Sequence, residues 1–148
     1  MENRVNINET EPNAYKAMYG LEAYLATTQL SKTHRELIKI RASQINGCAF
    51  CLNMHTKDAL SFGETAQRIV LLNAWKESGM FTEEEMAILA ITEEVTLIHY
   101  QGLSMDTYKK AVQLFNKNYI AQIIMAVVTI NAWNRIAIST LMVPADIE

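Results

Sequence analysis

Hydrophobic residues recur at spacings of three and four along most of this chain, the period of helices that pack by one face. Pro12 suits a first helical turn, and Ala14, Ala17, Met18, Leu21, Tyr24 and Leu25 follow in register, fading near Thr27 and Thr28. Ser31 can cap a second helix that buries Leu37, Ile40 and Ile45. It stops at Asn46-Gly47, where either residue tolerates the left-handed backbone that ends a helix. A third helix runs from about Cys48 to Phe62, with Gly63 as its stop. Cys48, Cys51, Leu52, His55, Ala59 and Phe62 fall on one face of it. A fourth covers Thr65 to Asn73 and continues irregularly through Trp75 to Ser78-Gly79. Thr82-x-x-Glu85 reads as a capping box opening a fifth helix, to about His99, that buries Met86, Leu89, Ala90, Val95 and Ile98. Past Gln101-Gly102, Ser104 caps a sixth from Met105 to about Asn116, and the last spans roughly Asn118 to Leu141.

The pattern predicts an all-α bundle of about six to seven helices, one domain over residues 1–148, with a flexible arm at 1–11 and a loose tail at 144–148. The last helix is apolar on most sides as far as Asn134 and Arg135, so it must be covered all round, which points to subunit contacts. Its uncharged run, Asn118 to Asn134, is broken by Gln122, Thr129 and Asn131. It is shorter than the ~20 apolar residues that cross a bilayer, so a buried or interface helix is expected and no membrane partner.

Composition narrows the function. Half the residues are hydrophobic, while glycine (5) and proline (2) are scarce, which favours helices over a turn-rich β fold. A net charge of −3 without a basic cluster argues against nucleic acid as a partner. The first residues, MENRVNINETEPN, are polar and have no apolar core, so no secretory signal is expected and the reading is cytoplasmic. In a reducing compartment, two cysteines three apart point to catalysis or metal binding rather than a structural staple.

Both cysteines lie in one stretch, Glu36 to Asp58, ELIKIRASQINGCAFCLNMHTKD. A thiol does redox work as a thiolate. The start of the third helix favours negative charge on Cys48, while His55, one turn beyond Cys51, favours it there. The directed contact carries more weight than the shared dipole, which points to Cys51. Glu36 can be placed coarsely. If the helices either side of Gly47 fold back on each other at ~1.5 Å rise per residue, Glu36 lies beside His55 to Asp58, where a carboxylate could orient His55 and pass protons.

Other readings of these residues compete. Cys48, Cys51 and His55, with His34 or His99, could ligate zinc, but no second ligand pair at short spacing supports a structural site, so no metal is expected. Thr33-x-x-Glu36 can be a capping box. His34 reads as a solvated first-turn residue and His99 as a structural helix end. Glu93 and Glu94 read as architectural partners for Arg41 or Arg135. Trp75 and Trp133 read as core or interface, and the eight methionines as core filler.

The pattern E-x11-C-x-x-C-x3-H, met by Glu36, Cys48, Cys51 and His55, resembles the signature of the AhpD-like alkylhydroperoxidases, within the carboxymuconolactone decarboxylase superfamily. The late segment TINAWNR, Thr129 to Arg135, is similar to that family's last helix. The resemblance implies an AhpD-like helical bundle and a homo-oligomer, commonly a trimer or hexamer. It implies reduction of organic hydroperoxides by Cys51, with Cys48 resolving, Glu36 and His55 relaying protons and no bound cofactor. A lipoyl-type or thioredoxin-like dithiol would regenerate the pair. The best-known members carry a histidine directly before the second cysteine. Here Phe50 stands there, which removes one polar relay group. A disulfide reductase or redox sensor using the same pair, and a non-enzymatic helical oligomer, are the competing expectations.

Overall fold

Side-chain caps mark where the helices begin. In the computed structural model, which describes residues 4–144, the caps are Asn6 for α1 (Ile7–Thr10), Ser31 for α3 (Lys32–Asn46) and Cys48 for α4 (Ala49–Ser61). Thr65 caps α5 (Ala66–Leu71), Thr82 α7 (Glu83–Thr96), Ser104 α8 (Met105–Leu114) and Asn116 α9 (Lys117–Ser139). Each accepts a hydrogen bond from an otherwise unpaired first-turn N–H. At Thr82 the capping box is complete, since Glu85 also reaches back to the Thr82 N–H. α2 (Pro12–Ala26) opens with proline, and α6 (Trp75–Ser78) follows α5 through a single 3-10 turn, Leu72–Ala74. Among the described residues there is no strand. The expected all-α architecture is therefore present.

Several expectations are corrected. Residues 4–11 of the expected arm carry the helical turn α1, and the Arg4 guanidinium donates to the Ser139 carbonyl at 2.9 Å. The tail beyond Pro144 lies outside the described residues. On α2, Leu25 is buried but Ala14, Ala17 and Tyr24 are exposed, because the helix sits at the edge of the bundle against α9. The stripe Tyr15, Tyr19 and Glu22, spaced i, i+4, i+7, instead meets Trp133 of α9, with Tyr15 and Glu22 half-buried and Tyr19 still largely exposed. Phe62, placed on the buried face of α4, is half exposed, because α4 has ended and the chain is turning there. α7 ends at Thr96 rather than near His99, which leaves Ile98 in solvent. Its buried face includes Ala87, Ile88, Leu89, Ile91 and Thr92.

α3 and α9 are the central pair, and both pack against α7 and α4. α9, at 23 residues, is long and apolar enough to cross a membrane by length and composition. In this fold it is a packed helix whose inner face includes Ile123, Val127 and Ile130. Its polar residues are used structurally. The Asn134 amide donates to Ser43 Oγ at 3.0 Å, and Asn46 donates to both Asn131 and Asn134 at 2.9 Å. The Asn131 amide donates onward to Thr96 Oγ1 at 3.0 Å. These bonds hold the end of α3, which is where the first cysteine is set. Asn134 is fully buried, so Asn134→Ala strands polar partners without water. The variant should lose about 1–3 kcal/mol of stability, read as a lower urea midpoint with the slope unchanged.

Candidate active site

The turn between α3 and α4 positions both sulfurs. Gly47 takes the left-handed backbone (φ 70°) that ends α3. The Gly47 N–H then bonds the Gln44 carbonyl at 3.3 Å, and the Cys48 N–H bonds the Ser43 carbonyl at 3.0 Å, closing a Schellman motif. The same Cys48 caps the next helix, its Sγ accepting from the Cys51 N–H at 3.3 Å. One residue thus closes α3, opens α4 and sets its sulfur over the first turn. Cys48 and Cys51 are joined as a disulfide, with Cα atoms 5.4 Å apart. Both are buried in the main core cluster.

One turn along α4, His55 is 5% exposed, and beside it from α3 Glu36 is 8% exposed. Glu36 Oε2 lies 2.9 Å from His55 Nδ1. That contact assigns the Nδ1 proton toward Glu36 and leaves Nε2 for chemistry. Asp58, half exposed, approaches the same nitrogen at 3.9 Å. The fold-back geometry read from sequence therefore places Glu36 on His55. Thr33 does not cap α3, since Ser31 Oγ takes the His34 N–H at 3.1 Å.

A cavity of about 340 Å3 opens over Cys51 and His55. α4 supplies Phe50 and Met54 to its wall, α2 supplies Tyr15 and Tyr19, and α9 supplies Trp133. The aromatic residues interlock: Tyr15 and Tyr19 lie 5.2 and 5.7 Å from Trp133, centroid to centroid. Such a wall suits an apolar ligand held against a reactive sulfur. Sequence reasoning missed Tyr15, Tyr19 and Glu22 and gave Trp133 only as core or interface. Their spacing on α2 was a usable signal, but nothing local tells that α9 brings Trp133 to them.

The remaining candidates fall elsewhere. His34, expected in solvent, is half-buried with Nδ1 2.6 Å from the Tyr119 hydroxyl. Burial holds its pKa below the usual histidine value, against the pull of Glu85 and Glu84. His99 is exposed and lies against Tyr100. Neither joins the cysteines. Among the described residues, the one set of three or more histidine, cysteine or carboxylate side chains whose ligand atoms lie within 4.8 Å of one another is Glu36, His55 and Asp58. Arg41 reaches Glu93 at 2.9 Å, as expected for an architectural pair. Burial pushes the Glu93 carboxyl up, but hydrogen bonds from Trp75, Lys76 and Arg41 outweigh it and hold the pKa down. Glu94 instead accepts from Ser104 and Thr107 at the start of α8.

Comparison with known proteins fits this geometry. The profile of the carboxymuconolactone decarboxylase family matches residues 12–94. An uncharacterized protein of Bacillus subtilis (strain 168), YdfG, is 40% identical over 139 residues, 94% of this chain and 95% of that one. A crystal structure of a protein of unknown function from Agrobacterium tumefaciens, provisionally named antioxidant defence protein AhpD, superimposes with a TM-score of 0.93. It is 38% identical over 98% of this chain and 100% of that one. An uncharacterized peroxidase-related protein from Silicibacter sp. TM1040 is 26% identical with a TM-score of 0.75, covering 89% of this chain and 69% of that one.

Proposed function

The chain belongs to the carboxymuconolactone decarboxylase family as an AhpD-like member, and from that premise we propose that it is a thiol peroxidase that reduces organic hydroperoxides. The observation that carries the reading is the Cys48–Cys51 disulfide lying under an apolar cavity, with the buried His55–Glu36 pair one turn away. In the reduced protein the Cys51 thiolate attacks the distal oxygen of the hydroperoxide. The O–O bond breaks, Cys51 becomes a sulfenic acid, and the departing alkoxide takes a proton from His55 to leave as an alcohol. Cys48, as its thiolate, then attacks the Cys51 sulfur. The S–O bond breaks, hydroxide leaves and is protonated to water, and the disulfide forms. An external dithiol of the lipoyl or thioredoxin-like kind reduces it by exchange and is itself oxidised.

Glu36 and His55 form the proton relay in this scheme. A cytoplasmic setting suits a cycle that needs a reducing dithiol. The same reading includes assembly as a trimer or hexamer; what supports self-association is the apolar residues left in solvent on α9 and beyond α7, Val128 and Ile98 among them. Phe50 in the cavity wall favours a second reading, a disulfide reductase or redox sensor with no peroxidase turnover, because it supplies no proton-transfer group beside Cys51.

The test is the intact mass and thiol count of the reduced protein before and after one equivalent of cumene hydroperoxide, followed by steady-state turnover with a dithiol donor. The peroxidase should lose two hydrogens and both thiols, regain them with dithiol, and turn over. Unchanged mass with two free thiols would overturn the redox reading. Oxidation without turnover would select the sensor.

A further inference from the structure

One charged pair in the cavity wall has no place in the scheme above. Lys39, on α3 one turn after Glu36, is only 8% exposed. Lysine is seldom buried unless it is paired, because its ammonium loses hydration there. Its partner is Glu22 of α2, with Nζ 3.3 Å from Oε2. The other Glu22 oxygen accepts from the Trp133 indole N–H at 3.0 Å. Glu22 is thus fixed from two sides, and it fixes Lys39 in turn. Residues from α2, α3 and α9 thus meet at this ammonium, which lines the cavity that also contains Cys51 and His55.

The charges around that cavity show what the ammonium does. Lys39 is the one lysine or arginine among the lining residues. Glu22 from α2 and Asp58 from α4 also line it, and Glu36 stands behind His55. The phenols of Tyr15 and Tyr19 complete the titratable groups that α2 brings to the lining, and α9 brings only the uncharged Trp133 and Ala137. Three carboxylates surround a site whose proposed reaction begins with a sulfur anion. Without a cation the field there would disfavour the thiolate. An ammonium has three donors, and among the described residues Glu22 takes one, leaving two for the cavity.

We infer that Lys39 is a positioning residue for the nucleophile: its ammonium, held by Glu22 and Trp133, offsets the surrounding carboxylates and favours the Cys51 thiolate. The inference rests on the proposed function only in taking Cys51 as the attacking sulfur. In a Cys48→Ser background one site thiol remains, and its rate of alkylation by iodoacetamide can be followed against pH. Lys39→Met should move the midpoint up by about one pH unit and slow alkylation at neutral pH about tenfold. Lys39→Arg should restore most of the loss. Glu22→Gln should move the midpoint the opposite way, because it removes a negative charge and leaves Lys39 uncompensated.

That difference in sign separates the inference from mere scaffolding. If the pair only held helices together, breaking it from either side would act alike. A midpoint unmoved in folded Lys39→Met, or shifted upward in Glu22→Gln, overturns the inference. Lys39→Gln serves in place of the methionine variant if circular dichroism shows that variant unfolded. Failure of hydroperoxide turnover in a protein whose Cys51 still responds to Lys39 would overturn the peroxidase and leave this assignment standing. Normal turnover with an unresponsive Cys51 would do the reverse.

Discussion

Cys51→Ser should abolish hydroperoxide reduction, with residual turnover below about one-thousandth of the parent, the scale of loss when a covalent nucleophile is removed. A serine hydroxyl at this position does not ionise at neutral pH and forms no sulfenic acid, so no second route through the same site is open. The fold should survive. Cys51 is buried, and placing a hydroxyl there costs about 1–3 kcal/mol if it stays unpaired, which the reduced proteins can be compared to measure. Cys48→Ser should behave differently. Cys48 caps α4 through its sulfur, and serine is a better N-cap acceptor, so the helix is undisturbed. That variant should still take one oxygen from a hydroperoxide and then stop, holding a sulfenic acid that dimedone traps at Cys51. Loss of the first oxidation in Cys48→Ser, with its retention in Cys51→Ser, would mean that the attacking sulfur is Cys48. Full activity in Cys51→Ser would remove the peroxidase reading altogether.

The parts of this site that could be read from sequence are those set within one fold-back of the chain. Asn46-Gly47 announces the turn, C-x-x-C spacing puts both sulfurs on one helical turn, and His55 follows at i+4. Counting residues back from the turn then brings Glu36 to His55 by rise per residue alone. The TINAWNR segment could be noticed but not explained. Its asparagines hold Ser43 and Asn46, residues about ninety positions away in the chain, and so steady the turn that presents Cys48. Lys39 and Glu22 were illegible for a different reason. In a helical pattern both read as solvent-facing charges. Only the packing of α9 on both α2 and α3 shows that the two charges meet and that Lys39 is buried. The same tertiary fact reverses the reading of His34, whose partner Tyr119 comes from α9. Hydrophobic period gives a helix its inner face, but the cavity wall is built where three helices meet, and no single period encodes that.

The second large effect is expected at the relay. His55→Ala should lower kcat/KM for hydroperoxide by about 10²- to 10⁴-fold, the usual contribution of a positioned general acid or base. The imidazole is needed twice, to take the thiol proton and to return one to the departing alkoxide. Glu36→Gln keeps the shape and most of the packing of the carboxylate but not its charge. A hydrogen bond to a charged group contributes roughly 1.5–3 kcal/mol, so the loss should be about 10- to 100-fold. The glutamine can also present its amide N–H to Nδ1, which would place the imidazole proton on Nε2 and block it from accepting the thiol proton. The decisive comparison is the double variant. If Glu36 acts by orienting and charging His55, then adding Glu36→Gln to His55→Ala should cost almost nothing further, because the group it serves is already gone. Losses that multiply instead would show Glu36 moving protons by a route of its own, through water in place of the ring. Chemical rescue sharpens the result. Added imidazole should restore part of the activity of His55→Ala, whose shortened side chain leaves space beside Glu36 in the cavity that Cys51 also lines. It should restore none in Cys51→Ser, where the missing element is the sulfur itself.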